Sequence, residues 1–516
     1  MSDLQSLPEN LSGVHIHFVG IKGTGMAALV EIFFHNGAII TGSDVSERFY
    51  TDEILEKLNL KALPFSKKNI TDEVQYVVYS SAYKLDKNPD LIAAVKKGIP
   101  CLLYTEALGS WSSRAYSCGI CGVHGKTSTT GLTGTILKEL DLPVQILAGS
   151  IIKSFGDTCT YTSPLITNNN LSSSTLMTDD LRPKTYFVAE TCEYQRHFMS
   201  FCPQKIILTS VEPDHQDYYP TYEDIRQAFI DYICKLPKNG QVIYCADDKG
   251  AVNTVTLAAK LRPDIQMIPY GETAESDYKL TFGKVEKEQN NFTVKLFGNK
   301  NLYLRVPGRH EVMDAVAALA LSCELLKTNG KNPEDYVNQI ATGLANFAGG
   351  KRRSEIIGHM KSQTGNDVLV IDDYGHHPTA VKTTLDGFRE FYKGRKIIVD
   401  FMSHTYSRTQ ALLEEFAQSF DSADIVILHK IYSSARENPA DFNITGLTLF
   451  NKTVEHLIAV KENMCAKYYE EILDAKDFVK EELNKPLSKD YPDGYLLVTM
   501  GAGDNWKLGK AILEDK

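Results

Sequence analysis

The clearest chemical content lies in Gly122-Val123-His124-Gly125-Lys126-Thr127, which follows the strand-like YSCGIC and precedes the helix-like STTGLTGTILKEL. A phosphate group needs backbone N–H donors, a cation and a helix N-terminus, with glycines where the chain turns tightly. In that arrangement Lys126 neutralises the β- and γ-phosphates of a nucleotide and the Thr127 hydroxyl ligates Mg2+. The usual eight-residue loop carries a further glycine five places before Gly125; here that place is Ile120, so the general pattern is matched in part. Glu190 closes the segment TYFVAE and His215 closes LTSVEPDH. Strand ends of parallel α/β units converge on the ligand crevice, so a carboxylate and an imidazole there complete a magnesium shell with Thr127. Taken singly, each is an ordinary strand-end polar residue; the phosphate loop is what gives them a task. Cys118 and Cys121 form a CxxC without a second pair. On a buried strand they are core cysteines rather than zinc or redox residues.

Two further clusters carry polar chemistry. Gly20-Ile21-Lys22-Gly23-Thr24-Gly25 follows a strand and opens the helix MAALVEIFFHNG, and Asp44 ends the next strand 19 residues after Gly25. That spacing suits the acidic position of a dinucleotide fingerprint, but Lys22 occupies the place of its middle glycine. A side chain there obstructs a pyrophosphate's approach to the backbone, so a different diphosphate ligand is favoured over a nicotinamide cofactor. Asp372-Asp373-Tyr374-Gly375-His376-His377-Pro378 and His404-Thr405-Tyr406-Ser407-Arg408 lie at the ends of neighbouring strands and point to one shared substrate site. The adjacent histidines raise zinc, yet there is no HExxH and no third ligand at metal spacing. Arg352 and Arg353, after the hinge-like AGG, offer guanidinium groups to a carboxylate or phosphate, or else stand on a solvated turn.

These clusters are positioned by short β-branched runs alternating with helical stretches. VHIHFVG, GAIITGSD, QYVVYSSA and IPCLLYTE form a first series; AYSCGICGVHG, TYFVAE, KIILTSVEPDH and QVIYCADD a second; DVLVIDDYGHH, KIIVDFMSH, DIVILHK and YLLVTMGAGD a third. Near-continuous apolar strands between helices predict parallel sheets covered by helices, in three α/β units. Boundaries are expected near 109–115 and 345–353. Residues 277–306 alternate apolar and polar and predict a small antiparallel sheet appended to the central unit. Residues 153–184 are crowded with Ser, Thr and Asn and predict a surface loop or hairpin. The 516 residues suit three or four domains at about 150 residues each. A formal net charge of −10 argues against a nucleic-acid or anionic-membrane surface. No apolar run approaches the ~18 residues of a membrane span, and no signal-peptide core opens the chain, so a cytoplasmic protein with reduced thiols is expected.

Together these residues resemble the Mur ligase family, and within it the branch that joins L-alanine to UDP-N-acetylmuramate. The resemblance runs through HFVGIKGTGM with TGSD, SSA, GVHGKTSTT, VAE, EPDH, PGRH, the arginine pair, IDDYGHHPTAVK, SHTYSRT, IYSSARE and TMGAGD, in the family's order along nearly the whole chain. It implies a Rossmann-like domain over 1–110 that holds the UDP-sugar through Gly20, Lys22, Gly23, Thr24, Gly25, Asp44, Ser80 and Ser81. It implies a central ATP-binding domain over 111–346 with a P-loop-type parallel sheet. There Gly122, His124, Gly125, Lys126, Thr127, Ser128 and His310, joined by Arg352, Arg353 and Asp373, contact ATP, and Thr127, Glu190 and His215 hold Mg2+. A second Rossmann-like domain over 347–516 would bind the amino acid through Tyr374, His376, His404 and Arg408, with Lys126, His376, His404 and Arg408 catalytic.

The chain departs from the family pattern at Lys22, at Thr191-Cys192-Glu193-Tyr194-Gln195-Arg196-His197 where acidic residues are usual, at Glu311 and Asp314 where the HNxxN motif has amides, and at Ser354 in place of phenylalanine. Residues 153–184 look like an insertion. The implied reaction activates a carboxylate as an acyl phosphate, which the free amine of L-alanine then attacks. Rival readings are a ligase that attaches a recycled murein peptide to the same sugar nucleotide, a nucleotide-binding protein of this fold without ligase activity, folylpolyglutamate synthesis, and a dinucleotide oxidoreductase. Partners are small molecules, without nucleic acid or membrane insertion, and the protein is expected as a monomer or homodimer.

Overall fold

The computed structural model describes residues 6–166, 185–433, 437–460 and 465–515. Four strands, His15–Val19, Ile39–Ser43, Tyr76–Tyr79 and Cys101–Leu103, form an all-parallel sheet in the spatial order second, first, third, fourth. The helix Thr24–His35 that follows the first glycine loop is buried over Met26–Phe33, Glu31 included. A helix apolar on all sides must be covered on more than one face. Here one side rests on its own sheet and the other packs on the edge of the central sheet.

The central sheet has seven strands in the spatial order Gln266–Tyr270, Gln241–Cys245, Lys205–Leu208, Tyr116–Cys121, Tyr186–Glu190, Val144–Ile152, Thr158–Thr162. All neighbours are parallel except the last two strands, an antiparallel hairpin. The strand leading to the phosphate loop is therefore in the middle, with Glu190 at the end of one neighbour and the 209–215 segment after the other. Alternating side chains serve two cores: Cys118 and Ile120 face the helices Lys126–Glu139 and Arg309–Thr328, while Cys121 faces the opposite core. The CxxC cysteines thus point to opposite sides of a buried strand and cannot share an ion, consistent with their reading as core residues.

The small antiparallel sheet comprises Leu280–Glu286, Gln289–Val294 and Leu302–Leu304. The predicted loop or hairpin after Lys153 takes hairpin form over its first part: Cys159 and Thr160 are buried, and 167–184 lie outside the described residues. The polar stretch at 109–115 is half helix, since Tyr104–Ser112 is helical. Within it Trp111 is 3% exposed, donates its indole N–H to Gln145 Oε1 at 2.9 Å and leans on Phe33, binding the first sheet to the second.

The third α/β sheet runs in the order Glu355–Lys361, Asp367–Asp373, Gly494–Met500, Arg395–Phe401, Ile425–Leu428, Cys465–Tyr468, parallel apart from its first pair. Gly494–Met500 is buried throughout, as a central parallel strand must be. Among the described residues no helix is long and apolar enough to cross a membrane.

Candidate active site

Gly122 and Gly125 both have positive φ, at 138° and 79°. A Cβ at Gly125 would lie 2.4 Å from Asp314 Oδ1, and one at Gly122 would lie 2.0 Å from Thr209 Oγ1. The loop thus needs glycine for conformation and for space. Lys126 begins the following helix and curls back, donating to Gly122 O at 2.6 Å and to both oxygens of Glu193 at 3.1 and 2.9 Å. Glu193 is 2% exposed. Burial opposes its ionisation, but the Lys126 charge and His215 outweigh burial and hold its carboxyl below the ordinary range. Thr127 Oγ1 donates to Glu190 Oε2 at 2.9 Å, and Gly149 N–H donates to the same oxygen at 2.8 Å. Hydroxyl and carboxylate therefore meet beside the phosphate loop. His215 Nε2 stands 3.4 Å from Glu193 Oε1 and 3.8 Å from Asp214 Oδ2.

Asp214 carries this chain of charges into the C-terminal domain. Its Oδ1 accepts from Arg408 Nε at 3.1 Å and from the terminal guanidinium nitrogen at 2.8 Å, with both side chains buried. Although burial acts the other way, Arg408 and His215 hold the Asp214 carboxyl far below its ordinary value. Arg408 also donates to His404 O at 3.1 Å. His376 packs edge-on to His404, with ring centroids 5.9 Å apart, and its Nδ1 meets Tyr374 O at 2.8 Å. A carbonyl only accepts, so Nδ1 carries the proton and Nε2 the lone pair. Burial and the Arg408 charge push the His376 imidazole well below its usual range, which keeps it neutral and able to take a proton. The structure thus joins Lys126, Thr127, Glu190, His215, Tyr374, His376, His404 and Arg408 in one connected region.

Ser128 Oγ donates to Glu311 Oε1 at 2.8 Å, and Asp314 packs on Gly125. Burial raises both carboxyls; Glu311 further raises Asp314, while His310 and the Ser128 hydroxyl pull Glu311 the other way and Arg353 lowers both. His310 Nε2 lies 3.9 Å from Glu311 Oε1. A raised carboxyl pKa favours the protonated form, which offers one donor and one acceptor as the amides of the HNxxN pattern do. Arg352, paired with Asp372 at 2.7 Å and donating to Gly501 O, is engaged within its own domain. Asp373 accepts from the backbone of Ser354 and Gly375, each at 2.7 Å, so its carboxylate shapes the two loops rather than presenting free oxygens.

A cavity of about 200 Å³ at the mouth of the first sheet is lined by Gly23, Thr24, Gly25, Ser80, Ser81 and Tyr104, among others. A second, also about 200 Å³, shares Gly25, Tyr104, Thr105 and His197 with it and reaches Glu190, Thr191 and Cys192. Gly20, Lys22 and Asp44, expected with the sugar-nucleotide residues, line neither cavity. The Lys22 ammonium donates to Glu47 O at 2.8 Å and pairs with Asp52 at 3.2 Å. Its backbone N–H goes to Asp44 Oδ2, while Asp44 Oδ1 accepts from Val45 N–H and the Tyr83 hydroxyl. A Cβ on Gly20, whose φ is 86°, would meet the Tyr83 ring at 2.7 Å. These three residues build the turn from behind.

Several contributors escaped the sequence reading. Glu193 lies three residues beyond Glu190, and Asp214 adjoins His215; an acidic residue beside a candidate ligand was the available signal for each. Glu212 accepts from Thr379 Oγ1 at 3.0 Å and so touches the C-terminal domain, a contact spanning 167 residues of chain.

Three family models match successive stretches: "Mur ligase family, catalytic domain" over 15–116, "Mur ligase middle domain" over 120–322 and "Mur ligase, glutamate ligase domain" over 352–482. The UDP-N-acetylmuramate–L-alanine ligase of Treponema pallidum (strain Nichols) is 44% identical over 509 residues, 98% of each chain. That of Borreliella burgdorferi is 36% identical over 500 residues, 96% of this chain and 97% of the relative. Among solved structures, the UDP-N-acetylmuramate–alanine ligase of Thermotoga maritima superposes with TM-score 0.72 at 22% identity, covering 97% of this chain and 98% of that one. A murein peptide ligase of Psychrobacter arcticus superposes with TM-score 0.60 at 21% identity over the same shares; these two likenesses concern fold alone. With identity of this order along the full length and three successive domain matches, the chain belongs to the Mur ligase family.

Proposed function

We propose that this protein is an ATP-dependent carboxylate–amine ligase that joins L-alanine to the carboxylate of UDP-N-acetylmuramate, a step of peptidoglycan precursor synthesis in the cytoplasm. The observation that carries the reading is the unbroken chain of charged contacts from Lys126 through Glu193, His215 and Asp214 to Arg408. It sets a phosphate-loop cation and a guanidinium with its neighbouring neutral imidazole at one place, where phosphoryl transfer and amine attack must follow each other. The curated relatives named above, all L-alanine ligases by name, support the choice of amino acid.

In this reading residues 1–110 hold the sugar nucleotide, 111–346 hold ATP, and 347–516 bring the amino acid. Lys126 leaves Glu193 for the γ-phosphoryl group as charge builds there. The Thr127 hydroxyl and the Glu190 carboxylate meet as oxygen donors beside the loop, which fits Mg2+, and His215, which now faces Glu193, would be the third residue to hold the ion. Bound there, Mg2+ supplies charge neutralisation on the phosphates. Arg408 exchanges Asp214 for the alanine carboxylate. His376, its lone pair on Nε2, accepts the proton released as the amine attacks the acyl phosphate and phosphate departs.

The test is phosphate release from Mg-ATP with UDP-N-acetylmuramate and each candidate acceptor, with the mass of the product checked. Release that depends on both substrates and yields the alanyl sugar nucleotide is expected. Silence with L-alanine but turnover with a tripeptide would assign the chain to peptide recycling instead. Tight ATP binding without turnover on any pair would leave a binding protein of this fold.

A further inference from the structure

We propose that His124, Glu212 and His377 form a binding site for a borderline transition metal of the Zn2+ class, distinct from the Thr127–Glu190 magnesium position, which staples the C-terminal domain to the phosphate loop.

The three residues come from separate segments. His124 stands inside the phosphate loop, Glu212 in the segment after strand Lys205–Leu208, and His377 at the N-cap of the C-terminal helix Pro378–Phe391. One ligand atom from each lies within 4.8 Å of the other two, the one group of three such residues this close among the described residues. His124 Nε2 is buried without a hydrogen-bond partner and faces Glu212 Oε2 at 3.6 Å. His377 Nδ1 lies 3.9 Å from the same oxygen, and His377 is 5% exposed. Two donors each ~2.1 Å from a tetrahedral ion stand about 3.4 Å apart, so small side-chain movements close the triangle.

The chemistry of the donors selects the ion. Two imidazoles and one carboxylate suit Zn2+, Co2+ or Ni2+, whereas Mg2+ prefers oxygen and keeps its waters. The backbone N–H of Thr379 donates to His377 Nδ1, so that nitrogen carries a lone pair, on the side of the ring nearer Glu212. That lone pair now accepts only a long 3.3 Å bond from Thr379 N–H. The rings of His124 and His377 are tilted by 51° with centroids 4.8 Å apart, a convergence rather than a stack. An ion bound here would tie two domains through three segments already held by the Thr379–Glu212 hydrogen bond.

The experiment titrates the full-length protein with Co2+ in excess Mg2+, following visible d–d absorption, and then displaces Co2+ with Zn2+. Expected are one equivalent bound at micromolar affinity or tighter, and X-ray absorption of the Zn2+-loaded protein with nitrogen and oxygen neighbours but no sulfur. His377→Asn keeps an N-capping oxygen while removing the imidazole, and Glu212→Gln removes the anion; each should weaken binding at least tenfold. Cys192→Ser and Cys202→Ser should leave it unchanged. Absence of stoichiometric binding, a sulfur shell, or wild-type affinity in both His377→Asn and Glu212→Gln would overturn the proposal. The absorption measurement on wild-type protein stands even where a variant fails to fold.

Discussion

Lys126 and Glu193 hold each other in a buried pair, so each is costly to remove alone. Deleting one partner of a buried pair strands the other charge, which destabilises by about 3–5 kcal/mol. Lys126→Met should therefore lower the urea midpoint clearly and reduce kcat by about 10²–10³-fold, the usual effect of losing one preorganised charge partner. Lys126→Met with Glu193→Gln should recover most of the stability and none of the turnover. A single variant with the wild-type midpoint would show that the pair is not buried as described. Asp214 makes a pH statement of the same kind. Its folded pKa is depressed mainly by Arg408, so the stability it contributes is present above the ordinary carboxylate range, ~4, and is lost as pH falls below it toward the folded value. Asp214→Asn should flatten the acid limb of the stability profile measured by urea unfolding between pH 2 and 6. An unchanged limb would remove Asp214 as a source of acid lability. Lys126, Thr127, Glu190 and His215 were legible in the sequence because each sits at the end of a recognisable run. The Asp214–Arg408 contact was not, because 194 residues separate its partners; neither local spacing nor composition reports on a pairing made by tertiary structure.

At the level of elements, the phosphate loop depends on what packs behind it. Helix Arg309–Thr328 presents Asp314 to Gly125 and Glu311 to Ser128, so the loop has no room for a side chain on that face. Gly125→Ala would force a Cβ against the Asp314 carboxyl at a position with φ of 79°, where a non-glycine residue costs about 1 kcal/mol before any clash. Nucleotide affinity, read by calorimetry with a non-hydrolysable ATP analogue, should fall at least tenfold. Binding of the sugar nucleotide, proposed for the first domain, should persist. Equal loss of both would mean that the substitution unfolds the protein rather than reshaping the loop. Lys22 is likewise placed by what packs around it. From sequence, a lysine in a glycine-rich loop points toward a phosphate; in the fold, Asp52 and the Glu47 carbonyl turn its ammonium to the rear of the turn. Helix Thr24–His35 was legible as a helix, whereas its burial against the central sheet depends on the 158–162 hairpin strand, whose Ser- and Thr-rich surroundings carry no apolar period.

For the whole molecule, the alternation of strands and helices was enough to predict three α/β units, because fully buried parallel strands read as continuous apolar runs. Their mutual placement had no such signature. Helix Thr24–His35 and Trp111 seat the first unit on the central one, whereas the C-terminal unit meets the central one through polar contacts that sequence leaves unpaired, among them Glu212 to Thr379 and Asp214 to Arg408. Both acids lie on one segment of the central domain and both reach the C-terminal domain, and Arg408 is the group proposed to receive the amino-acid carboxylate. Under that proposal a protein carboxylate stands in for the substrate's, and the same Asp214–Arg408 contact joins the two domains. Glu212→Gln with Asp214→Asn should loosen that hold without touching either core. Small-angle scattering of the ligand-free variant is expected to give a larger radius of gyration than wild type. Addition of an ATP analogue with the sugar nucleotide should narrow the difference, since the ligands supply the missing bridge. If variant and wild type scatter alike in the absence of ligands, the two acids do not govern domain closure, and the contact between the C-terminal helix Pro378–Phe391 and the central helix Arg309–Thr328, which carries the Arg309–Glu390 ion pair, does so instead.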